Sequence, residues 1–295
     1  MKKMTGIFPA LLTPFSGTKI NEKALRAIVE WNIKQGVSGF YVCGSTGEAF
    51  LLKPEERKQI LEIVADQVGR RVSIIAHIGA IGTDLTLDLG RHAVSVAGVD
   101  AVSSIPPFYY QFSVDEVVRY YLDIAQTLSF PVIPYNFPKL SGITLTPDIV
   151  KALRKEPHII GVKFTSNDFY GVERMKAGDS DLLIYNGLDE MYLAGLSMGV
   201  DGAIGSTFNF MADKYLSITS LFASGDMKEA RRLQTEANSI IEMLLETRCF
   251  MAAQKYVLDL IGCPFGEPRA PFFPLTEAEK EMLAKRVAPL LTSMT

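Results

Sequence analysis

Lys163 closes the apolar run Ile159-Ile160-Gly161-Val162, so a strand ending there would hold its ε-amine against a dry wall. Desolvation penalises the ammonium form and can bring a lysine pKa from about 10.4 toward 7–8. A neutral amine condenses with ketones to a Schiff base. The competing readings are a structural ion pair with Asp or Glu, or a stem that snorkels past the strand end. Tyr135 ends a second apolar run, Pro131-Val132-Ile133-Pro134. There a phenol is either a core residue whose hydroxyl finds a carbonyl or, beside a reactive lysine, a general acid/base.

Three further groups belong with these two. Gly44-Ser45-Thr46-Gly47 lacks the lysine and spacing of a P-loop. Its two glycines allow backbone N–H groups and two hydroxyls to converge on a small anion, and a carboxylate fits as well as a phosphate. Asp189 and Glu190 precede a helix, where acids are common for dipole reasons. Facing a cavity, they would accept hydrogen bonds from a polyol. Phe108-Tyr109-Tyr110 is more aromatic than a loop needs, and reads as core, subunit contact or lid. His77, His92 and His158 have no metal-ligand spacing, and structural roles are expected for them; no metal site is read anywhere.

These residues need a scaffold, and the chain spells one out. Short, mostly continuous apolar runs begin near Ile7, Gly39, Val72, Asp100, Pro131, Ile159, Leu182 and Asp201, as strands buried on both faces of a parallel sheet require. Helical patterns lie between them. One carries Leu25, Ile28, Val29 and Ile33 on one face, and another Ile60, Leu61 and Val64 behind a Pro54-Glu55-Glu56 first turn. Ser113 and Thr146 read as caps. Eight strand–helix units predict an α/β fold, a closed (β/α)8 TIM barrel over 1–225. An open doubly wound sheet is the rival, but no dinucleotide fingerprint follows the first strand. Residues 226–295 read as an all-helical C-terminal extension of about three helices, 226–246, 250–261 and 276–290. In a barrel the site forms at the C-terminal strand ends. Gly44–Glu48, Tyr135-Asn136, Lys163–Ser166, Asn186–Glu190 and Gly205–Thr207 all fall there.

Composition narrows the class. With 295 residues, 48% hydrophobic and 21% charged, the chain can bury a large core without staples. Thirty basic against thirty-three acidic residues, with no basic block, argues against nucleic acid or a polybasic membrane anchor. Cys43, Cys249 and Cys263 are too scattered for a disulfide framework. Pro9 and Pro14 interrupt the stretch after Met1-Lys2-Lys3, so no export leader is expected, and no run is long enough to span a bilayer. A reducing, cytoplasmic setting is expected.

Taken in order, GSTGEAF (44–50), PFYYQFS (107–113), YNFPKLSG (135–142), GVKFTS (161–166), YNGLDE (185–190) and DGAIGSTFN (201–209) resemble the pyruvate-dependent class I aldolase superfamily, and within it the branch that cleaves sialic acid. The resemblance runs over nearly the whole chain. It implies that Lys163 forms the Schiff base and Tyr135 moves the protons. Ser45 and Thr46 would hold the carboxylate. Thr165, Gly187, Asp189, Glu190 and Ser206 would line the sugar pocket, with Phe250 nearby and Tyr109 reaching a site at a subunit contact. It further implies N-acetylneuraminate, pyruvate and N-acetylmannosamine as small-molecule ligands, no cofactor, and a homotetramer. Dihydrodipicolinate synthase shares the lysine, tyrosine and loop, but carries an arginine two residues beyond the proline where this chain has Leu140. That enzyme and the keto-deoxy-sugar aldolases are the alternatives, and a keto-acid sensor is the non-enzyme one. A sensor needs neither Lys163 nor Tyr135.

Overall fold

The computed structural model describes residues 4–294; Met1-Lys2-Lys3 and Thr295 lie outside them. The eight expected runs form strands β1 (Gly6–Pro9), β2 (Gly39–Val42), β3 (Ser73–His77), β4 (Ala101–Ser104), β5 (Val132–Asn136), β6 (Gly161–Phe164), β7 (Leu183–Asn186) and β8 (Gly202–Gly205). Each pairs in parallel with its sequence neighbours, and β8 returns to β1. The gap between β1 and β2 closes through an Ala10–Tyr41 bridge, with Leu11 N donating to Tyr41 O at 3.0 Å and Ser38 N to Ile7 O at 2.9 Å. The result is the eight-stranded barrel that the alternation of strands and helices predicts.

Helices α1 (Glu22–Gln35), α2 (Pro54–Val68), α3 (Thr83–Ser95), α4 (Val114–Leu128), α5 (Pro147–Leu153), α6 (Phe169–Gly178), α7 (Tyr192–Ser197) and α8 (Phe208–Ser224) ring the barrel. Their starts follow local chemistry. Ser113 and Glu116 cap α4 reciprocally, with Ser113 N donating to Glu116 Oε2 at 2.7 Å. The Thr146 side chain accepts from Ile149 N ahead of α5. On α1, Leu25, Ile28 and Val29 are fully buried, each worth roughly 1.5–3 kcal/mol of apolar transfer. Two cores result. The larger lies between helices and strands; the smaller fills the barrel with Phe8, Tyr41, Ile75, Ala101, Ile133, Tyr185 and Ile204. Tyr185 Oη donates to Met4 O at 2.6 Å and ties the N-terminal segment to this inner core.

The final three helices are α9 (Met227–Leu245), α10 (Phe250–Leu260) and α11 (Glu277–Arg286), each within a residue or a few of the expected limits. The apolar pattern had no signal for a two-residue ribbon, Phe15–Ser16 with Lys19–Ile20, or for the helical turn Pro138–Ser141. Both are too short to show a period. Among the described residues no helix is long and apolar enough to cross a membrane.

Candidate active site

Parallel register brings the two leading residues together. Tyr135 on β5 pairs with Lys163 on β6, which pairs in turn with Tyr185 on β7. Paired residues of neighbouring strands share a face, here the barrel interior. Lys163 Nζ lies 4.1 Å from the ring centroid of Tyr135 and 4.1 Å from that of Tyr41. Those rings meet edge to face, 6.2 Å apart, so the amine is wedged between two aromatic faces. Lys163 is only 4% exposed. Burial pushes its pKa down to about 7, while the charge of Asp189 pulls it partway back. At neutral pH about half the amine is therefore free base, against roughly one part in three thousand at the ordinary lysine value.

Burial pushes the Tyr135 phenol above its usual range; the hydroxyls of Thr165 and Ser45 beside it pull the other way, and Asp189 pushes it up. Ser45 Oγ and Thr165 Oγ1 are themselves buried without an aligned hydrogen-bond partner. Buried hydroxyls left open in this way are costly unless something else satisfies them. Asp189 is buried as well. Its Oδ2 accepts from Thr207 N at 2.8 Å and Thr207 Oγ1 at 2.7 Å. Burial nonetheless raises the Asp189 pKa to about 6; the Thr207 bonds oppose the rise, Glu190 adds to it and Lys163 opposes it.

The Ser45–Gly47 turn is a single 3₁₀ turn, with Gly47 N donating to Gly44 O at 3.0 Å and Glu48 N to Ser45 O at 3.1 Å. Gly44 has a steric reason: a Cβ there would meet the Tyr41 ring at 2.5 Å. Gly187 has another, since a Cβ would lie 1.9 Å from Thr165 Oγ1. Thr13 Oγ1 donates to Gly47 O at 2.8 Å and pins the far end of the turn. Thr46 and Ser206 are half-buried at the ends of their strands, and Glu190 is exposed, its carbonyl accepting from Asn238 Nδ2 at 3.0 Å.

Thus Lys163, Tyr135, Ser45, Thr165, Gly187 and Asp189 are gathered by direct contact or charge. Glu190 joins them only through its charge beside Asp189, and four expected residues, Thr46, Ser206, Tyr109 and Phe250, are not gathered in this way. Tyr109 is 83% exposed and meets Tyr110 ring to ring at 5.2 Å. Phe250 opens α10 and packs on the large core. Sequence reasoning missed Tyr41 and the layer behind it, and placed Thr207 at a strand end without naming its partner Asp189. Tyr41 Oη donates to Ser103 Oγ at 3.1 Å, which donates to Ile133 O at 2.6 Å. His77 Nε2 accepts from Ile105 N at 3.2 Å, so Nδ1 carries the proton and donates to Cys43 O at 2.9 Å. Burial first, then the Arg57 and Lys163 charges, hold this imidazole neutral, well below its usual pKa. The signal for Tyr41 was present: an aromatic in a four-residue strand directly ahead of the Gly-rich loop.

The arrangement offers a nucleophilic amine, a proton-carrying phenol linked to two hydroxyls, and a turn able to grip an anion. Among the described residues no cluster of His, Cys, Asp and Glu is placed to hold a metal.

Comparison with known proteins gives the same chemistry a context. The chain is 44% identical over 291 residues to the N-acetylneuraminate lyase of Rhizobium meliloti, spanning 98% of this chain and 96% of that one. Its structure superposes on CdNal from Clostridium difficile in complex with mannosamine with a TM-score of 0.93, at 37% identity, covering 97% of this chain and 98% of that one. A catalytic lysine mutant of Ruminococcus gnavus sialic acid aldolase superposes with a TM-score of 0.94 at 30% identity, covering 98% and 96%. The model of the dihydrodipicolinate synthetase family matches residues 3–289, and the chain belongs to that family.

Proposed function

We propose that the chain is a class I aldolase that cleaves N-acetylneuraminate reversibly to pyruvate and N-acetylmannosamine. The observation that carries this reading is the buried amine of Lys163 lying against the Tyr135 ring. Lys163 attacks the C2 ketone of the open-chain sugar acid, and the Tyr135 phenol gives its proton to the departing hydroxyl, so that water leaves and a protonated imine and a phenolate remain. Tyr135 takes the C4 hydroxyl proton as the C3–C4 bond breaks. The bonding pair flows into the imine, giving an enamine, and the sugar leaves as its aldehyde. The enamine takes a proton at C3, and water releases pyruvate and the free lysine.

The raised Tyr135 pKa fits this order. In the resting site the phenol keeps its proton. A cationic imine beside it stabilises the phenolate and makes it a competent base. Ser45 and Thr46 hold the carboxylate in this scheme, while Thr165, Gly187, Asp189, Glu190 and Ser206 line the polyol. Leu140 is 56% exposed on the turn after β5, and offers no charged fork for a dicarboxylate. We also infer a homotetramer, for which the exposed aromatics Tyr109 and Tyr110 are the candidate contact. The cytoplasm is the proposed compartment, in keeping with three free cysteines.

The test is a pair of assays. Pyruvate with borohydride should add the reduced adduct to the peptide containing Lys163, and sialic acid should yield pyruvate. No adduct, or faster condensation with aspartate semialdehyde than cleavage of sialic acid, overturns the assignment.

A further inference from the structure

The turn that bears Ser45 and Thr46 ends at Glu48, whose side chain turns away from Lys163 toward the C-terminal helices. Glu48 sits in the left-handed region at φ 59°, a conformation that a non-glycine residue holds only where its surroundings enforce it. They do. Glu48 Oε1 meets Lys255 Nζ of α10 at 2.5 Å, an ion pair with both side chains fully buried. Glu48 Oε2 accepts from Arg269 N at 2.7 Å. The Arg269 guanidinium then holds Leu51 O at 3.1 Å and forks onto Glu56 in the first turn of α2. Both cations lie over one face-forming ring: Lys255 Nζ is 4.2 Å and Arg269 Cζ 4.6 Å from the centroid of Phe15.

A buried ion pair is weak evidence for stability, because desolvation offsets most of its attraction. What this one does is geometric. The Ser45–Gly47 turn is bounded on one side by the Gly44–Tyr41 contact and on the other by the Thr13–Gly47 bond and Glu48, and it is Glu48 that ties this side to the C-terminal helices. We propose that Glu48, through Lys255 and Arg269, is a positioning residue that sets the carboxylate-gripping turn, so that affinity for a 2-oxo acid is governed in part from the C-terminal helices. This rests on the reading that Ser45 and Thr46 hold the carboxylate.

The test uses the full chain, borohydride and a series of pyruvate concentrations, read as adduct mass. Glu48→Gln should raise the half-saturating pyruvate concentration roughly ten- to a hundredfold, the effect expected when reacting groups are displaced by about an ångström. The labelled fraction at saturation should match the parent. Acetone, which has the ketone but no carboxylate, should label variant and parent alike. Should Glu48→Gln strand the buried lysine and fail to fold, Glu48→Gln/Lys255→Met removes both charges and carries the same expectation. Half-saturation within twofold of the parent, whatever happens to the melting temperature, overturns the proposal by leaving only a structural role. A folded variant that takes no label at saturating pyruvate, or that loses acetone labelling in parallel, also overturns it. A parent that labels with acetone equally well at every concentration as with pyruvate removes the carboxylate reading beneath it. A parent that takes no label from either ketone sinks the Schiff-base reading itself.

Discussion

Replacing Lys163 with methionine should stabilise the protein at neutral pH while abolishing turnover. The folded chain holds this amine near a pKa of about 7, whereas the unfolded chain releases it near 10.4. Each pH unit between those titrations is worth about 1.4 kcal/mol. The native state therefore carries a burden of roughly 4 kcal/mol at pH 7. Its sign is fixed by proton counting. Between about pH 7 and 10 the unfolded chain binds a proton that the folded chain does not, so this group makes stability rise with pH across that window. The burden is fully present below 7 and gone once both forms are neutral. Methionine follows the path of the lysine stem and keeps contact with the Tyr41 and Tyr135 faces without a charge to desolvate. The attraction of Asp189 is already contained in the pKa of about 7, so the gain is roughly 4 kcal/mol at pH 7 and falls to under about 1 kcal/mol at pH 10. Urea melts of parent and variant at pH 6, 7, 8.5 and 10 measure it. A gain independent of pH, or a loss at pH 7, refutes the account of the lysine as a desolvated cation.

Tyr135→Phe should still form the borohydride adduct but lose roughly 10²–10⁴ in sialic acid cleavage; parental turnover would remove the phenol from the mechanism. Asp189→Asn deletes the charge that holds the Lys163 pKa up, so the pH midpoint of adduct formation should fall below that of the parent, and an upward move would contradict the charge assignment. Gly187→Ala places a methyl 1.9 Å from Thr165 Oγ1. It should raise KM for the sugar acid roughly ten- to a hundredfold and leave pyruvate labelling intact, and an unchanged KM would separate Thr165 from sugar binding. Tyr109→Ala should leave subunit stability within about 0.5 kcal/mol, because the ring is exposed. Sedimentation should nonetheless show weaker assembly, and an unaltered tetramer, or a lone monomer in the parent, would defeat the contact assignment.

The barrel was legible because strands such as Gly161–Phe164 and Val132–Asn136 are buried on both faces and lie in mostly apolar runs. Caps such as Ser113 and Thr146 were legible because they act through neighbours three residues away. Lys163 was legible because a charge at the end of a dry strand is locally anomalous. What escaped depends on distant chain. Glu48 meets Lys255 across about two hundred residues, and Asp189 meets Thr207 across helix α7 and strand β8. No period or spacing encodes either pair. Thr207 stood among the polar residues at the end of β8, but nothing local named the carboxylate beside it. Phe250 entered through family resemblance alone and Tyr109 through its aromatic loop as well, and contacts within one chain bring neither to Lys163.

The two rings flanking the Lys163 nitrogen carry a consequence for how new specificities arise on this scaffold. An imine cation occupies the slot that the ammonium leaves, and finds the same negative ring faces on either side. The anchor thus arrives preformed, before any aldehyde portion has been recognised. Mutations in the loops over the mouth can then exchange one leaving sugar for another while the covalent handle, held by rigid strands, stays untouched.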